Sequence, residues 1–587
     1  MPDTLPDTAL ARLFAKARRE GDATWFSLPG GSHLFSAGEA ADQLFFLRAG
    51  KLGAFRSEEG GEREFLGIIR PGEPAGEMAL IAGISHSASV VALRDSEVLA
   101  LPRPVFFKAA DQDAHIMTEL AQMMIARLRQ AASGHSPTGD PSVYGFIAAN
   151  AGPPIRPMVE ALAGLIQGLG YTVDIAGAEA LMAPTEWFSS VEAGHDFILY
   201  VAEHDQGAWS SVIGRQVDHM FRIGRGAAPE RIEPYASEPL ISQKLVDLIL
   251  FRPPGMRPSG STAWLEASGA ARVFHVTDGV SDDLRRIARV ITGQSVGLTL
   301  SGGGARAYAH IGAIRALRER GVPIDFVGGS SMGAIVGAGL ALGWDQAEME
   351  SRVRRAFVDT SPLDDIAFPM IAMTHGNKVR DRLAEHFDDI DIADLPLPFF
   401  CVSSNLTTGQ YQVHRRQDLA RALRASISLP GVLPPVTDGA NVLVDGAVMK
   451  NFPADIMRAM QFGPIVGVDV TRGRSITAKD VFRPPSFWKW VLSGEWRSGP
   501  PIVGLLMRAA TVTSGRDLAA SRGATDVLIT PKLEGIDIRN WRAYEPAVEA
   551  GYAAACAALD ALDGPVTDLR RRASRFKAVR ADPVAPG

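Results

Sequence analysis

Cysteine is almost missing from this 587-residue chain: Cys401 and Cys556 are the only two, and they stand in unrelated contexts. That excludes a disulfide framework and a thiolate metal site, and it suits a reducing compartment. Positive charge is not in excess. The formal net charge is −6, so no global field draws a polyanion and nucleic acid is not an expected partner. Long apolar runs are missing too. The longest, IVGAGLALGW from Ile335 to Trp344, is too short and too glycine-rich to cross a bilayer. The first residues, MPDTLPDTALARLFAKARREG, scatter charges and have no apolar core, so they do not read as a secretory signal. A cytoplasmic protein is expected, peripheral on a membrane at most. One further absence bears on chemistry: no histidine follows His414.

What is present is an ordinary globular composition, 46 % hydrophobic and 21 % charged, in a chain too long for one core. From about Trp25 to Ala100, short runs such as SHLFSAGEAADQLFFLRAGKLGAFRS alternate apolar and polar residues with glycines at the breaks, which predicts a small β-barrel or jelly roll. AHIMTELAQMMIARLRQAA follows with Ile116, Leu120, Met123, Met124 and Leu128 at helical steps, and SGHSPTGDPS then reads as a linker. From Val143 to Val276 strand-like runs (VYGFIAAN, YTVDIAG, FILYVAE) alternate with helical ones (PMVEALAGLIQGLG, SSVIGRQVDHMFRIG). That series predicts a doubly wound parallel sheet. Its first loop, AANAGPPIRP, has neither G-K-[ST] nor G-x-G-x-x-G, so no nucleotide cradle is expected there.

The chemistry concentrates in SVGLTLSGGGARAYAHIGAIRALRERGVPIDFVGGSSMGAIVGAG. VGLTL is a strand by composition. Gly302, Gly303 and Gly304 follow it, and a helix is expected from about Arg306, with Ile311, Ile314 and Leu317 on one face. Bare N–H groups at such a turn suit an anion. One helix and one strand later, Gly329, Ser331 and Gly333 form G-x-S-x-G, the spacing that lifts a serine onto a strand-to-helix turn. Two parallel β-turn-α units place both turns at one sheet edge.

Something must take the proton from Ser331. His310 begins a helix and is expected to orient it; His375, His386 and His414 read as surface residues. In NVLVDGAVMKNFPAD the apolar strand Val442–Val444 ends at Asp445, before a Gly446 turn. A carboxylate buried there gains proton affinity by desolvation, as a base toward an alcohol needs. The residues therefore point to a Ser-Asp pair without an imidazole.

G-G-G-x-R, G-x-S-x-G and D-G-[GA] resemble the patatin-like phospholipase family. SGGGARAYAHIGAIRALRERGVPIDFVGGSSMG, RASISLPGVLPPV and VLVDGAVMKNFPADIMRAM are similar to its neuropathy target esterase branch. RPGEPAGEMALIAGISHSASVVA resembles the phosphate cassette of a cyclic-nucleotide-binding domain, a module that branch carries ahead of its hydrolase. The residue patterns and the resemblance together predict a multidomain α/β plus β protein: a cyclic-nucleotide-binding-like jelly roll with flanking helices at 1–135, a Rossmann-like domain at 136–292, a patatin-like α/β hydrolase with a C-terminal extension at 293–565, and a basic mobile tail at 566–587.

It further implies Ser331 as nucleophile, Asp445 as base, and an oxyanion hole at Gly302, Gly303 and Gly304 with Arg306 beside it. The reaction implied is hydrolysis of lysophospholipid or phospholipid acyl esters at a membrane surface, without cofactor or metal. Ala307 and Lys450 depart from the family's glycine and asparagine. In the cassette, Gly76 and Glu77 match the ribose-binding pair, but His86 stands where an arginine meets the cyclic phosphate. An imidazole, mostly neutral near pH 7, is a poor substitute for that fork, so scaffolding or domain contact is favoured over cyclic-nucleotide binding. SFWKWVLSGEWRSGPPIVGLLM gathers Phe487, Trp488, Trp490 and Trp496 near Lys489 and Arg497, either as a membrane-facing patch or as a lid on the hydrolase. The competing readings are a scaffold with a vestigial hydrolase and a nucleotide-sensing module, and a histidine-dependent α/β-hydrolase, which the histidine order disfavours.

Overall fold

The computed structural model describes residues 8–57, 63–132, 142–150, 152–203, 207–229, 232, 245–360, 365–367, 371–387, 389–471, 514–538, 540–572 and 574. The aromatic segment 486–507 and the end of the basic tail lie outside the described residues.

The expected jelly roll is present as two four-stranded sheets. One runs Thr24–Leu28, Ser96–Pro102, Gln43–Ala49, Pro74–Ala75, and the other His33–Phe35, Ser89–Ala92, Leu52–Ser57, Arg63–Ile69. All pairings within them are antiparallel. The helix Ala9–Glu20 buries Leu10 and Phe14 against this unit, with Phe14 stacked 4.8 Å from Phe46. The helix Ala114–Ala132 packs beside it.

The middle unit is a six-stranded parallel sheet in the order Val173–Ala176, Phe197–Ala202, Val143–Ala148, His219–Arg225, Leu245–Arg252, Arg272–Thr277. One sequence expectation fails here. SSVIGRQVDHMFRIG is not one helix: the helix ends at Gln216, and His219–Arg225 is a buried central strand. Val212, Ile213, Val217, Met220 and Phe221 keep helix-like steps across the join, so periodicity alone could not see the break.

The third sheet is mixed. Its order is Val436–Asp438, Asn441–Asp445, Phe399–Asn405, Phe326–Ser330, Gly297–Leu300, Ile465–Val468, Val527–Ile529, with Gln410–His414 also paired to Phe399–Asn405. Gly297–Leu300, Phe326–Ser330 and Phe399–Asn405 are mutually parallel, so their carboxyl ends share one edge. Asn441–Asp445 runs antiparallel and sets Asp445 opposite Ser403.

The middle sheet and the hydrolase sheet are not separate cores. Phe146, Phe221 and Phe274 of the former lie in one apolar cluster with Phe326, Phe400 and Phe452 of the latter. Phe274 meets Phe326 edge-on at 6.0 Å, and Arg272 donates to the Met460 carbonyl at 2.5 Å. The jelly roll joins the middle unit through charge: Lys51 and Arg94 both reach Asp218 at 2.6 Å, Arg94 also pairs with Glu192, and Arg215 pairs with Asp95 at 3.1 Å.

The described start of the basic tail lies against the middle unit. Arg571 donates to the Leu169 carbonyl at 2.5 Å, Tyr171 to the Arg572 carbonyl at 3.0 Å, and Ser574 to Asp196 at 2.7 Å. Among the described residues, no helix is long and apolar enough to cross a membrane.

Candidate active site

Ser331 caps the helix Met332–Ala341 directly after its strand, with φ 53° and ψ −130°. A positive φ in a non-glycine residue is strained, at about 1–3 kcal/mol, and here it lifts the side chain off the sheet edge. The flanking glycines are sterically required. A Cβ on Gly329 would sit 2.7 Å from the Gly333 carbonyl carbon, and one on Gly333 would sit 2.5 Å from the Ser301 oxygen. Ser331 is 8 % exposed, which leaves its hydroxyl at the floor of the edge rather than in the core.

Asp445 lies across from it. The Ser331 hydroxyl donates to Asp445 Oδ2 at 2.8 Å, and the Ala447 N–H donates to Oδ1 at 2.8 Å. Burial pushes the Asp445 carboxyl up to about 7, against the pull of the Ala447 N–H and the Ser331 hydroxyl. Among the described residues no cation acts on it. The arrangement is a hydroxyl bonded to an anion whose proton affinity suits proton transfer near neutral pH.

The glycine loop faces the same place. A Cβ on Gly302 would stand 3.0 Å from Ser331 Cβ, and one on Gly304, at φ +56°, would strike the Ile538 oxygen at 2.3 Å. The turn is a 3-10 segment, Gly304–Tyr308, and the α-helix starts only at Ala309. Gly302 departs from the expected donor set, because its N–H is engaged by the Asn451 carbonyl at 3.1 Å. The Gly303 and Gly304 N–H groups have no partner among the described residues. Arg306 is buried on the same turn, at 6 % exposure.

The histidines are accounted for. His310 is fully buried and meets the Ser301 carbonyl at 2.8 Å, so it ties the start of its helix to the strand end ahead of the glycine loop; burial lowers it to about 4, which keeps it neutral. His414 is not a surface residue. It is 2 % exposed, with Ser403 at 2.7 Å and Gln417 at 2.8 Å. His386 is half-buried beside Arg352, and His375 is exposed. Lys450, one of the two departures, pairs with Asp455 at 2.7 Å and lies 5.4 Å from the Tyr411 ring centre.

Two residues of the edge were missed by sequence reasoning. Ser426 accepts the Ser331 N–H at 2.9 Å, and Asn451 brackets Gly302 by its carbonyl and by a side-chain bond of 3.3 Å to the Gly302 oxygen. Both sit inside the motifs RASISLPG and VMKNFPAD, the only signal that could have found them.

In the jelly roll, Gly76 at φ +83° caps the short helix Glu77–Ala82. His86 stacks on Phe35 with centroids 3.7 Å apart, and its Cε1 lies 3.0 Å from where a Gly76 Cβ would be. Burial lowers its pKa. Glu77 is buried, and Arg127 of the helix Ala114–Ala132 pairs with it at 2.6 Å while donating to the Pro74 carbonyl at 3.0 Å. Gly76, Glu77 and His86 do come together, but an internal arginine engages the acid.

Two family models match the chain. The patatin-like phospholipase family matches residues 298–458, and the cyclic nucleotide-binding domain matches residues 25–113. An uncharacterized NTE family protein of Mycobacterium tuberculosis (strain CDC 1551 / Oshkosh) is 32 % identical, over 95 % of this chain and 94 % of its own. The neuropathy target esterase sws of Drosophila melanogaster is 26 % identical, over 80 % of this chain and 37 % of its own. Among solved structures, the catabolite activator protein of Thermus thermophilus aligns with 22 % of this chain and 58 % of its own, at 28 % identity and a TM-score of 0.20.

Proposed function

This chain belongs to the neuropathy target esterase (NTE) family, carries a patatin-like phospholipase domain and is a lipid acyl hydrolase; on that footing we propose that it cleaves the acyl esters of lysophospholipids and phospholipids through a Ser331–Asp445 dyad. Asp445 takes the Ser331 proton as the oxygen attacks the ester carbonyl. The oxyanion meets the Gly303 and Gly304 N–H groups, and Arg306 adds positive charge to that turn. Collapse of the adduct leaves an acyl group on Ser331, and the departing alcohol takes the proton from Asp445. Water then enters, Asp445 removes its proton as the oxygen adds to the acyl carbon, and that proton passes to the Ser331 oxygen as the bond to it breaks and the carboxylic acid leaves.

The observation that carries this reading is the 2.8 Å bond from a strained, nearly buried serine to an acid with no cationic partner among the described residues. The experiment is an assay of the purified protein on lysophosphatidylcholine and short p-nitrophenyl esters, beside Ser331→Ala and Asp445→Asn. Both variants are expected to be inactive and folded. Equal rates for all three proteins would reduce the hydrolase to a vestigial scaffold.

A further inference from the structure

The Ser331–Asp445 contact joins the turn that follows one strand to the last residue of another, and something must set their separation. The N–H of Ser331 cannot follow its strand, because the chain turns at φ 53°. It donates instead to the Ser426 hydroxyl at 2.9 Å. That hydroxyl has one proton, and it goes to the Val402 carbonyl at 2.7 Å. Its lone pairs are therefore what faces Ser331. Val402 is the register partner of Ser330 on the neighbouring strand. The Ser426 hydroxyl thus supplies a rung of the ladder where the backbone of the nucleophile has turned away.

The same segment reaches the acid. The Ser428 carbonyl accepts the Asp445 N–H at 2.9 Å. Arg424 fixes Ser428 in turn, donating to its hydroxyl at 2.5 Å and to the Pro434 carbonyl at 3.1 Å, while the Ser428 hydroxyl donates to the Arg424 carbonyl at 2.7 Å. Ser426 and Ser428 are both fully buried, so water cannot replace either bond.

We propose that Ser426 is a positioning residue for the reaction, the segment Ser426–Ser428 acting as a spacer that holds the backbones of Ser331 and Asp445 at proton-transfer distance. This rests on the dyad reading above and adds the element that sets its geometry. Without the Ser426 hydroxyl, the Ser331 N–H is left buried and unpaired, which is unfavourable. The strained turn can relieve it by relaxing away from Asp445.

The test compares wild type with Ser426→Ala, which removes the hydroxyl, and Ser426→Thr, which keeps it. Displacement of the nucleophile by about 1 Å costs on the order of 10²-fold in turnover. Ser426→Ala is therefore expected to lose about that factor in kcat with KM little changed, and Ser426→Thr to recover most of it. The midpoint of the pH–rate profile should rise in Ser426→Ala, since the Ser331 hydroxyl bond is one of the contacts holding Asp445 down. A merely structural serine would lower the melting temperature and leave that midpoint in place.

A second readout needs no lipid turnover: the rate at which a fluorophosphonate labels Ser331, followed by intact-protein mass spectrometry. Labelling without lipid hydrolysis would count against the substrate reading alone, and the variants would still rank the spacer. Should Ser426→Ala not fold, Ser426→Cys, with a weak acceptor of similar size, is read in its place. Wild-type labelling and an unmoved pH midpoint in the hydroxyl-free variant would overturn the proposal. So would a wild type that does not label at Ser331.

Discussion

Asp445 and Asp218 are both buried aspartates, and they hold protons in opposite ways. Burial drives the Asp445 carboxyl up to about 7, opposed only by the Ala447 N–H and the Ser331 hydroxyl. At Asp218 burial again pulls upward more strongly than any single neighbour pulls down. Yet Arg94 and Lys51 together hold it well below the ordinary carboxylate range. Asp247, with Arg272 and His219, repeats the second pattern. The difference is a neighbouring cation. A paired acid becomes a joint between parts of the fold, while an unpaired one stays able to take a proton.

The largest expected effect comes from removing that ability. Asp445→Asn should cut turnover by about 10⁴-fold, the upper end of what a positioned general base contributes. It should not destabilise the protein. An acid raised from 3.8 to about 7 binds more protons folded than unfolded between those values, so stability falls as pH rises through that window. Below pH 4 the cost is absent; at pH 8 it is complete, on the order of 4 kcal/mol. Asp445→Asn should therefore melt higher than wild type at pH 8 and lose the advantage near pH 4. A lower melting point at pH 8 would mean that the acid has a partner after all.

Unpairing the other acid should do the reverse. Arg94→Met leaves Asp218 in the seam between jelly roll and middle sheet without its main cation, a change worth about 3–5 kcal/mol. In a protein of several units this is read as the midpoint of the lowest unfolding transition. Esterase activity at a temperature below that transition should be unchanged, because nothing in the seam touches Ser331.

The pH–rate profile comes next in size. Only the ionised form of Asp445 can accept the Ser331 proton. Below about 7 the rate should therefore fall about tenfold for each pH unit. His310 and His414, both lowered to about 4 by burial, should add no inflection between pH 5 and 8. A histidine-like inflection that survives Asp445→Asn would break the dyad reading.

Much of this site was legible in the sequence because its parts are local. G-x-S-x-G is a steric statement about Gly329, Ser331 and Gly333, and the strand-ending Asp445 is visible in a run of five residues. What was illegible depends on pairings between distant segments. Ser426 lies 95 residues from the nitrogen it holds. The antiparallel direction of Asn441–Asp445 leaves no periodic trace, and Gly302 looks like an oxyanion donor until Asn451 claims its N–H. In the middle sheet, the strand His219–Arg225 was hidden by helix-like spacing across its turn. His414 looked exposed because RRQD follows it, although its own strand turns it inward.

The smallest expected effect concerns a fourth acid, Glu77, where the sequence match is good and the chemistry has moved. For a nucleotide ribose to use this carboxylate it must displace Arg127, and for a phosphate to enter it must unstack His86 from Phe35. Neither displacement brings a new cation to the phosphate. Cyclic AMP or cyclic GMP at about 1 mM should therefore leave the melting temperature unmoved, since a ligand with Kd above about 1 mM adds less than about 0.4 kcal/mol there. Combining Arg127→Ala with His86→Arg frees the acid and restores a fork for phosphate, so the double variant is the form expected to shift upward with cyclic nucleotide. A clear shift in wild type would show that Arg127 yields its place readily, and Glu77 would then belong with Asp445 as a working acid rather than with Asp218 as a structural one.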